Sequence, residues 1–175
     1  MTSGPSPAAV GLSLLDFIRH AWRPYDAVLV RVEGMKGYHD VTRHPEGRQV
    51  PGLLLFRWDA PLFFANADFF RDRVRRLVRA ADPPLRRVVV AAEPITHVDS
   101  TAADMLAGLE AELAAAGIGL AFAEMKGPVK DQLARYGLPR GGAGVFSPTI
   151  GVAVRRYVTD EHVEWTDWEE EDPER

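Results

Sequence analysis

The sequence predicts an α/β protein in which a mixed, largely parallel β-sheet is flanked by about four to five α-helices. Short runs of branched and aromatic apolar residues alternate along the chain with longer segments of helical periodicity, and this alternation is typical of a parallel sheet covered by helices. The apolar runs are nearly continuous, as expected of strands buried on both faces. With 175 residues, 46% of them hydrophobic, the chain is long enough for about one domain with a core of ordinary size.

The first half of the chain supplies two predicted strands and the first long helix. Residues 27–32 and 53–58 are apolar runs of strand length, and the polar segment 35–49 between them, with its glycines and proline, predicts a long loop. After Asn66, which is a candidate for a helix N-cap, the apolar period becomes helical. The Asp-Pro-Pro sequence at 82–84 predicts the end of this helix.

The second half of the chain repeats the alternation of strand and helix. Gly117 is a candidate for the residue that follows a helix C-terminus. Ser147 with Pro148 matches an N-cap followed by a first-turn proline. In order, these residues predict a strand at 87–92, a helix at 101–116, a strand at 118–123, a short helix at 128–136, a connector at 137–144 and a last helix at 149–158.

Composition divides the chain into three parts, of which the central one, residues 25–158, contains the predicted strands and helices. Residues 1–24 contain an apolar stretch that ends in Arg, His, Trp and Arg. This pattern fits either an amphipathic helix packed on the domain or a juxtamembrane linker helix, and the stretch is too short to cross a bilayer. Residues 159–175 form an acidic tail that we expect to be disordered, since nine acidic residues lie between 160 and 174.

Charge excludes some classes of partner. The 25 acidic residues outnumber the 21 basic ones, which argues against a nucleic-acid partner. Arginines nevertheless crowd the first predicted helix, among them Arg71, Arg75 and Arg79. They form either a solvated helix face or an interaction surface for an acidic partner or anionic lipid headgroups. The absence of cysteine excludes disulfides and thiolate metal sites, and it fits a reducing compartment.

One polar cluster lies where a binding site is expected. Asp99, Ser100 and Thr101 fall at the predicted junction between a strand and the following helix, where backbone amides and the positive end of the helix dipole can hold a phosphate. Thr101 and Asp104 also match the capping box, in which two side chains satisfy unpaired amides of the first turn. The sequence leaves both interpretations, anion site and helix cap, open.

The other candidate motifs do not predict an enzyme. The glycines at 141–144 lack the lysine and the preceding strand of a phosphate-binding loop. His39, Asp40 and His44 lie in the long loop without the spacing of a metal site, and no serine has the surroundings of a nucleophile. We therefore expect neither a metal nor a catalytic residue.

An aromatic stripe follows the second predicted strand. Its members are Trp58, Phe63, Phe64, Phe69 and Phe70. Aromatic residues at strand and helix spacing usually belong to the core, so we expect core packing here in preference to a ligand groove.

Three segments together resemble a known family. They are PGLLLFRWDAPLFFANADFF at 51–70, LRRVVVAAEPITHVDSTAADML at 85–106 and YHDVTRHPEGRQVPG at 38–52. On these segments the chain resembles the STAS domain at the C-terminal end of SulP-type (SLC26-like) anion transporters, and the resemblance extends over most of the chain. The short connection at 82–86 is similar to that of bacterial members.

The resemblance implies a STAS fold and a cytoplasmic domain, at the inner membrane of a bacterium, that serves assembly and regulation of a sulfate- or bicarbonate-type transporter without catalysis. The implied partners are the transmembrane domain of the parent transporter, a second copy of the chain, since such transporters are generally dimers, and a regulatory protein. The turn at 99–101 and the arginines of the first helix become contact or sensing surfaces. No cofactor is expected, although nucleotide binding at the helix start, suggested for STAS domains in general, stays open.

A related family supplies the alternative. In the antagonists of anti-sigma factors, a hydroxyl at the position of Thr101 is phosphorylated by a partner kinase, so this chain is alternatively a freestanding antagonist controlled by phosphorylation at Thr101. Those antagonists usually continue with glycine and a small apolar run, whereas this chain continues with Ala102, Ala103 and Asp104. The negative charge of Asp104 would repel a phosphate on Thr101.

Overall fold

A mixed six-stranded β-sheet carries the part of the chain that this computed structural model describes, residues 22–139 and 145–167. The strands are β1 (Asp26–Arg31), β2 (Tyr38–Asp40), β3 (Leu53–Trp58), β4 (Arg87–Ala91), β5 (Gly119–Ala123) and β6 (Phe146–Ser147). The helices within these residues are α1 (Ala67–Ala80), α2 (Ser100–Ala115), α3 (Gly127–Arg135) and α4 (Ile150–Glu161). The apolar stretch before residue 22 and the glycines at 141–144 lie outside the described residues.

The sheet has the order β2-β1-β3-β4-β5-β6. Strands β3, β4, β5 and β6 are parallel, whereas β1 is antiparallel to both of its neighbours, β2 and β3. The predicted α/β class and the mixed, largely parallel sheet are therefore confirmed. Because β3 and β4 are parallel neighbours, the loops that leave their carboxyl ends meet at the same edge of the sheet.

Helices cover both faces of the sheet. Alternate residues of β3 point to opposite faces, so that Phe56 and Trp58 pack with α1, α2 and α3, whereas Leu53 and Leu55 pack with α4. Burial on both faces explains why β3 is an almost continuous apolar run in the sequence. No helix within residues 22–139 and 145–167 is long and apolar enough to span a membrane.

A short edge strand, β2, lies inside the predicted loop 35–49. It pairs with β1, and Leu29 lies opposite Asp40. The Asp40 carboxylate accepts hydrogen bonds from the amide and the hydroxyl of Thr42, both at 2.8 Å, which turns the chain away from the sheet. Three residues with mostly polar side chains show no apolar alternation, so the sequence pattern did not predict this strand.

The start of α1 differs from the prediction in its hydrogen bonding. Asn66 occupies the N-cap position, but its side chain makes no capping hydrogen bond. Instead, the side chain of this buried residue accepts from the Phe63 amide and donates to the Pro61 carbonyl, both at 3.0 Å. Asn66 therefore stabilises the turn before the helix.

The start of α4 also differs. Thr149 is the N-cap, and its hydroxyl accepts a hydrogen bond from the Val152 amide at 3.2 Å. Ser147, the predicted cap, lies buried in β6. The prediction for Ser147 was wrong because pairing of β6 with β5 places this residue in the sheet.

The last helix is longer than predicted. It continues to Glu161, past the expected end at residue 158 and past the expected start of the acidic tail at 159. Beyond it, Val163 and Trp165 pack against the core beneath α4. Residues 159–167 thus have a defined place on the domain, which differs from the disorder expected for the tail; residues 168–175 lie outside the described part of the chain.

Candidate functional site

Asp99 connects the two loops that leave the carboxyl ends of β3 and β4. One of its carboxylate oxygens accepts a hydrogen bond from the Ala102 amide at 2.8 Å, and the other accepts one from the Phe64 amide at 2.9 Å. A single side chain therefore caps α2 and holds the loop before α1.

The helix cap is Asp99, and not Thr101 as in the capping box that was one of the two interpretations of the sequence. Helix α2 begins at Ser100, one residue before the predicted start, because Asp99 is the N-cap. Thr101 lies in the first turn, and Ser100, Thr101 and Asp104 are all exposed. The predicted turn at 99–101 thus lies at the start of α2, with the side chains of Ser100 and Thr101 at the surface. Within this turn, Asp99 caps the helix.

The loop before α2 is held from two sides. The Leu62 amide donates to the His97 carbonyl at 2.9 Å, and the Asp99 amide donates to the Leu62 carbonyl at 3.3 Å. On the other side, the side-chain oxygen of Gln132, in α3, accepts from the Val98 amide at 3.0 Å. The sequence did not single out Gln132, because its contact spans 34 positions and has no local pattern.

The electrostatics of the turn favour capping over tight binding of a free anion. The Asp99 carboxylate lies at the positive end of the α2 dipole, where negative charge is stabilising. A second anion at this place would be repelled by Asp99 and by Asp104, which is exposed one turn into the helix. The Thr101 side chain is exposed, so a modifying enzyme or a partner surface can reach it.

The aromatic stripe is only partly core. Trp58 and Phe70 are fully buried, and their rings pack edge to face with centroids 5.2 Å apart. Phe64, in contrast, is 69% exposed, and its ring contacts that of Phe63 with centroids 5.5 Å apart. The core prediction was therefore wrong for Phe64, because the loop that follows β3 turns its side chain to the surface.

The predicted arginine surface is largely engaged within the domain. Arg71 pairs with Asp68 at 2.8 Å, and Arg75 pairs with Glu112 of α2 at 2.5 Å. The hydrogen bond between Arg75 and Glu112 raises the pKa of the arginine and lowers that of the glutamate. Arg79 is exposed in the last turn of α1, and its charge adds to the effect of Arg75 in lowering the pKa of Glu112. These contacts favour the solvated helix face over a free basic surface.

A buried arginine is the charged residue that the sequence analysis missed. Arg31 in β1 is 1% exposed, and its guanidinium pairs with the Asp167 carboxylate at 2.7 Å. It also donates hydrogen bonds to the carbonyls of Met35 and Gly37. Nothing in the strand pattern separates Arg31 from an ordinary exposed arginine, since its partner lies near the other end of the chain.

The histidines of the long loop lie near each other. The rings of His39 and His44 are 5.3 Å apart, and His44 pairs with Glu46 at 3.1 Å. Within the described residues, no group of three or more His, Asp or Glu side chains is arranged to hold a metal ion.

Comparison with known families identifies the class of this domain. The family model for the STAS domain matches residues 44–151. The chain therefore belongs to the STAS domain family.

A curated relative extends the comparison. A probable sulfate transporter of Mycobacterium tuberculosis is 41% identical over 126 residues, which are 72% of this chain and 22% of that protein. The chain thus spans about a fifth of the length of the curated relatives that it matches.

Two solved structures share the fold. The murine Solute Carrier 26 family member A9 anion transporter superposes with a TM-score of 0.76 at 19% identity, over 87% of this chain and 25% of that chain. The STAS domain of a SulP transporter from Vibrio cholerae superposes with a TM-score of 0.55 at 17% identity, over 70% of this chain and 93% of that domain. The predicted STAS fold is confirmed.

Proposed function

We propose that this chain is the cytoplasmic regulatory domain of a bacterial SulP-type transporter for sulfate, bicarbonate or a related inorganic anion. The observation that carries the proposal is the 41% identity over 126 residues with a probable sulfate transporter that is several times longer than the match. In this proposal the transport domain carries the anion at the inner membrane, and the present domain serves assembly and regulation without catalysis.

The exposed turn at 99–101 is the proposed regulatory contact. The backbone on either side of it is held, because the Ala102 amide donates to Asp99 and the Val98 amide donates to Gln132. A partner therefore meets a preformed surface and loses little conformational entropy on binding. The side chain of Thr101 is exposed, so its hydroxyl is accessible to a modifying enzyme. The arginines contribute less than the sequence suggested, since Arg71 and Arg75 are paired within the domain.

The proposal is tested by immunoblotting fractionated source cells with an antibody against this domain. We expect a band far above the 19.4 kDa of the present chain, in the membrane fraction. Purified domain run beside the cell extract provides the size control. A soluble band near 19.4 kDa as the only product would overturn the proposal.

Regulation is tested in the parent transporter. Deletion of the domain is expected to lower uptake of labelled sulfate or bicarbonate per molecule of transporter in the membrane. The amount of transporter in the membrane is quantified in the same cells. Loss of assembly would lower this amount, whereas loss of regulation would lower the uptake per molecule of transporter. Unchanged amount together with unchanged uptake would contradict both roles.

The alternative function is a freestanding antagonist controlled by phosphorylation, and the exposure of Thr101 is the observation in its favour. Asp104, also exposed near the start of α2, counts against it because its carboxylate would repel a phosphate on Thr101. Intact-mass measurement of the protein isolated from its native cell decides the matter. A phosphorylated fraction that Thr101→Ala abolishes would favour the antagonist if the protein is also soluble.

A further inference from the structure

The two residues before the turn at 99–101 are bound by other elements of the domain. The His97 carbonyl accepts a hydrogen bond from the Leu62 amide at 2.9 Å, and the Val98 amide donates to the side-chain oxygen of Gln132, in α3, at 3.0 Å. Val98 is buried, so water does not replace Gln132 as the acceptor for its amide. These contacts hold the loop that leads into Asp99.

The Gln132 side chain also contacts the His97 ring. Its amide nitrogen, Nε2, lies 3.3 Å from Nδ1 of His97. Because the Val98 N–H is a donor, the oxygen of the Gln132 amide faces it, and the NH2 group therefore faces His97. An NH2 group can only donate, so Nδ1 of His97 is the acceptor and carries no proton. The contact thus requires neutral His97, with its proton on Nε2.

Protonation of His97 removes this acceptor. With a proton on Nδ1, two donors face each other. Rotation of the Gln132 amide would turn its oxygen to His97 but would place the NH2 group against the buried Val98 amide, which is then left without an acceptor. Rotation of the His97 ring towards solvent would leave the NH2 group without its partner in the domain. In either case Gln132 loses one of the two hydrogen bonds that fix its position.

No ion pair compensates for this loss. Within residues 22–139 and 145–167, His97 makes no ion pair, and it is exposed, so it exchanges protons with solvent. Glu93, in the same loop, pairs with Lys126 at 3.1 Å, and the Asp99 carboxylate is bound by two backbone amides. The other charged residues of the elements that meet here are Asp59, which pairs with Arg57, Asp104 of α2, and Lys130, Asp131 and Arg135 of α3.

We infer that His97 and Gln132 make the loop before the turn at 99–101 sensitive to pH. Histidine side chains are protonated mainly below about pH 6.5. The hydrogen bond needs the neutral ring, so its contribution is present above this pH and is lost as the pH falls. The inference rests on the proposed function, in which this turn is the regulatory contact. At low pH a partner meets a less preformed surface and binds it more weakly.

The test is amide hydrogen exchange of the 175-residue chain, followed by NMR at about pH 7.5 and about pH 5.5, on either side of the titration of histidine. Division of the intrinsic exchange rate at each pH by the observed rate gives the protection of each amide. We expect the protection of Val98 to fall several-fold at the lower pH. The Gly119 amide, which donates to the Arg86 carbonyl at the opposite end of the sheet, is the internal control and should keep its protection.

Two variants separate this pair of residues from other effects of pH. Gln132→Glu keeps an oxygen for the Val98 amide but replaces the NH2 group by a second carboxylate oxygen, which accepts from protonated His97 and attracts its charge. The dependence should therefore reverse, with higher protection of Val98 at the lower pH.

His97→Asn supplies an acceptor oxygen in place of Nδ1 and does not titrate, so the protection of Val98 should be nearly the same at both pH values. His162→Asn, the same change at another exposed histidine, is the control and should keep the dependence of the wild type.

Failure of the inference and failure of the proposed function are distinguishable. Equal protection of Val98 at both pH values in the wild type, an equal fall at Gly119, or a dependence that persists in His97→Asn overturns the inference and leaves the proposed function in place. A soluble protein near 19.4 kDa in the source cells overturns the proposed function, and the pH dependence at Val98 then stands as a property of the domain alone.

Discussion

The guanidinium of Arg31 and the carboxylate of Asp167 lie 2.7 Å apart although 136 positions separate them in the chain. Asp167 follows α4, and its neighbour Trp165 lies under the guanidinium of Arg48 at 5.0 Å. The ion pair therefore fastens the segment after α4 to strand β1. This contact explains why the beginning of the acidic tail has a defined place on the domain.

Removal of Asp167 should destabilise the domain. Asp167→Ala leaves Arg31 buried without its carboxylate, and breaking a buried pair costs about 3 to 5 kcal/mol. Because Arg31 keeps its hydrogen bonds to the Met35 and Gly37 carbonyls, we expect the free energy of unfolding to fall by somewhat less, about 2 to 4 kcal/mol. Urea denaturation of the isolated domain measures this. The control Glu164→Ala removes an exposed carboxylate from the same segment and should cost less than about 0.5 kcal/mol. An equal loss of unfolding free energy in the two variants would show that the pair with Arg31 stabilises the domain no more than an exposed carboxylate does.

The double function of Asp99 predicts a difference between two substitutions. Asp99→Ala removes the cap of α2 and the bond to the Phe64 amide, and should cost at least about 1 to 2 kcal/mol. Asp99→Asn keeps an oxygen for the Ala102 amide and should retain most of the capping energy. Hydrogen exchange at the Phe64 and Ala102 amides distinguishes the two contacts. Protection of Phe64 that survives Asp99→Ala would contradict the connection between the loops.

A strand or helix could be predicted where the sequence pattern that specifies it lies within the element itself. Strands β3 and β4 were predicted because burial on both faces makes their sequences continuously apolar. The end of α2 was also predicted, since Gly117 adopts a φ of +73° that few other residues tolerate. The edge strand β2 was not, because Tyr38 and His39 are only half buried and its pairing depends on β1.

The candidate site shows the same limit. The position of the turn at 99–101 was predicted from the junction of strand and helix, which is a local signal. The hydrogen bonds from the Phe64 amide to the Asp99 carboxylate and from the Val98 amide to the Gln132 side chain span 35 and 34 positions. Such contacts depend on the packing of separate elements, so a single sequence carries no periodic trace of them.

Asp40 predicts a dependence of stability on pH. Burial opposes ionisation of this carboxyl, but hydrogen bonds from the Tyr25 hydroxyl and from Thr42 outweigh burial and lower its pKa below the ordinary value of 3.8. A carboxyl with a lowered pKa stabilises the folded state above about pH 4, and this stabilisation is lost as the pH falls through the folded-state value.

Tyr25→Phe tests that dependence. The variant lacks the hydroxyl that binds Asp40, so its free energy of unfolding should be below that of the wild type near neutral pH, and the difference should shrink below about pH 4. Urea titrations from about pH 3 to pH 7 measure both proteins. Tyr136→Phe, at an exposed position, is the control. A difference that is constant over this range would contradict the proposed linkage.

Gly52 lies where a side chain meets the core. It has a φ of +74°, and a Cβ atom built on it would lie 2.5 Å from the hydroxyl oxygen of Tyr157, which is buried and donates to the Pro51 carbonyl at 2.9 Å. Gly34 has a similar φ of +77°, but a Cβ there meets nothing within 4 Å. The two glycines therefore separate backbone strain from steric overlap.

Gly34→Ala should cost about 1 kcal/mol of unfolding free energy from backbone strain alone. Gly52→Ala should cost about 2 to 4 kcal/mol, because overpacking against Tyr157 adds to the same strain. In the Gly52→Ala background, Tyr157→Phe removes the overlapping hydroxyl and should recover part of the loss, whereas in the wild type it should destabilise by about 1 kcal/mol through the lost hydrogen bond. Urea unfolding of the four variants measures this coupling, and additive effects would show that the Cβ and the hydroxyl do not meet.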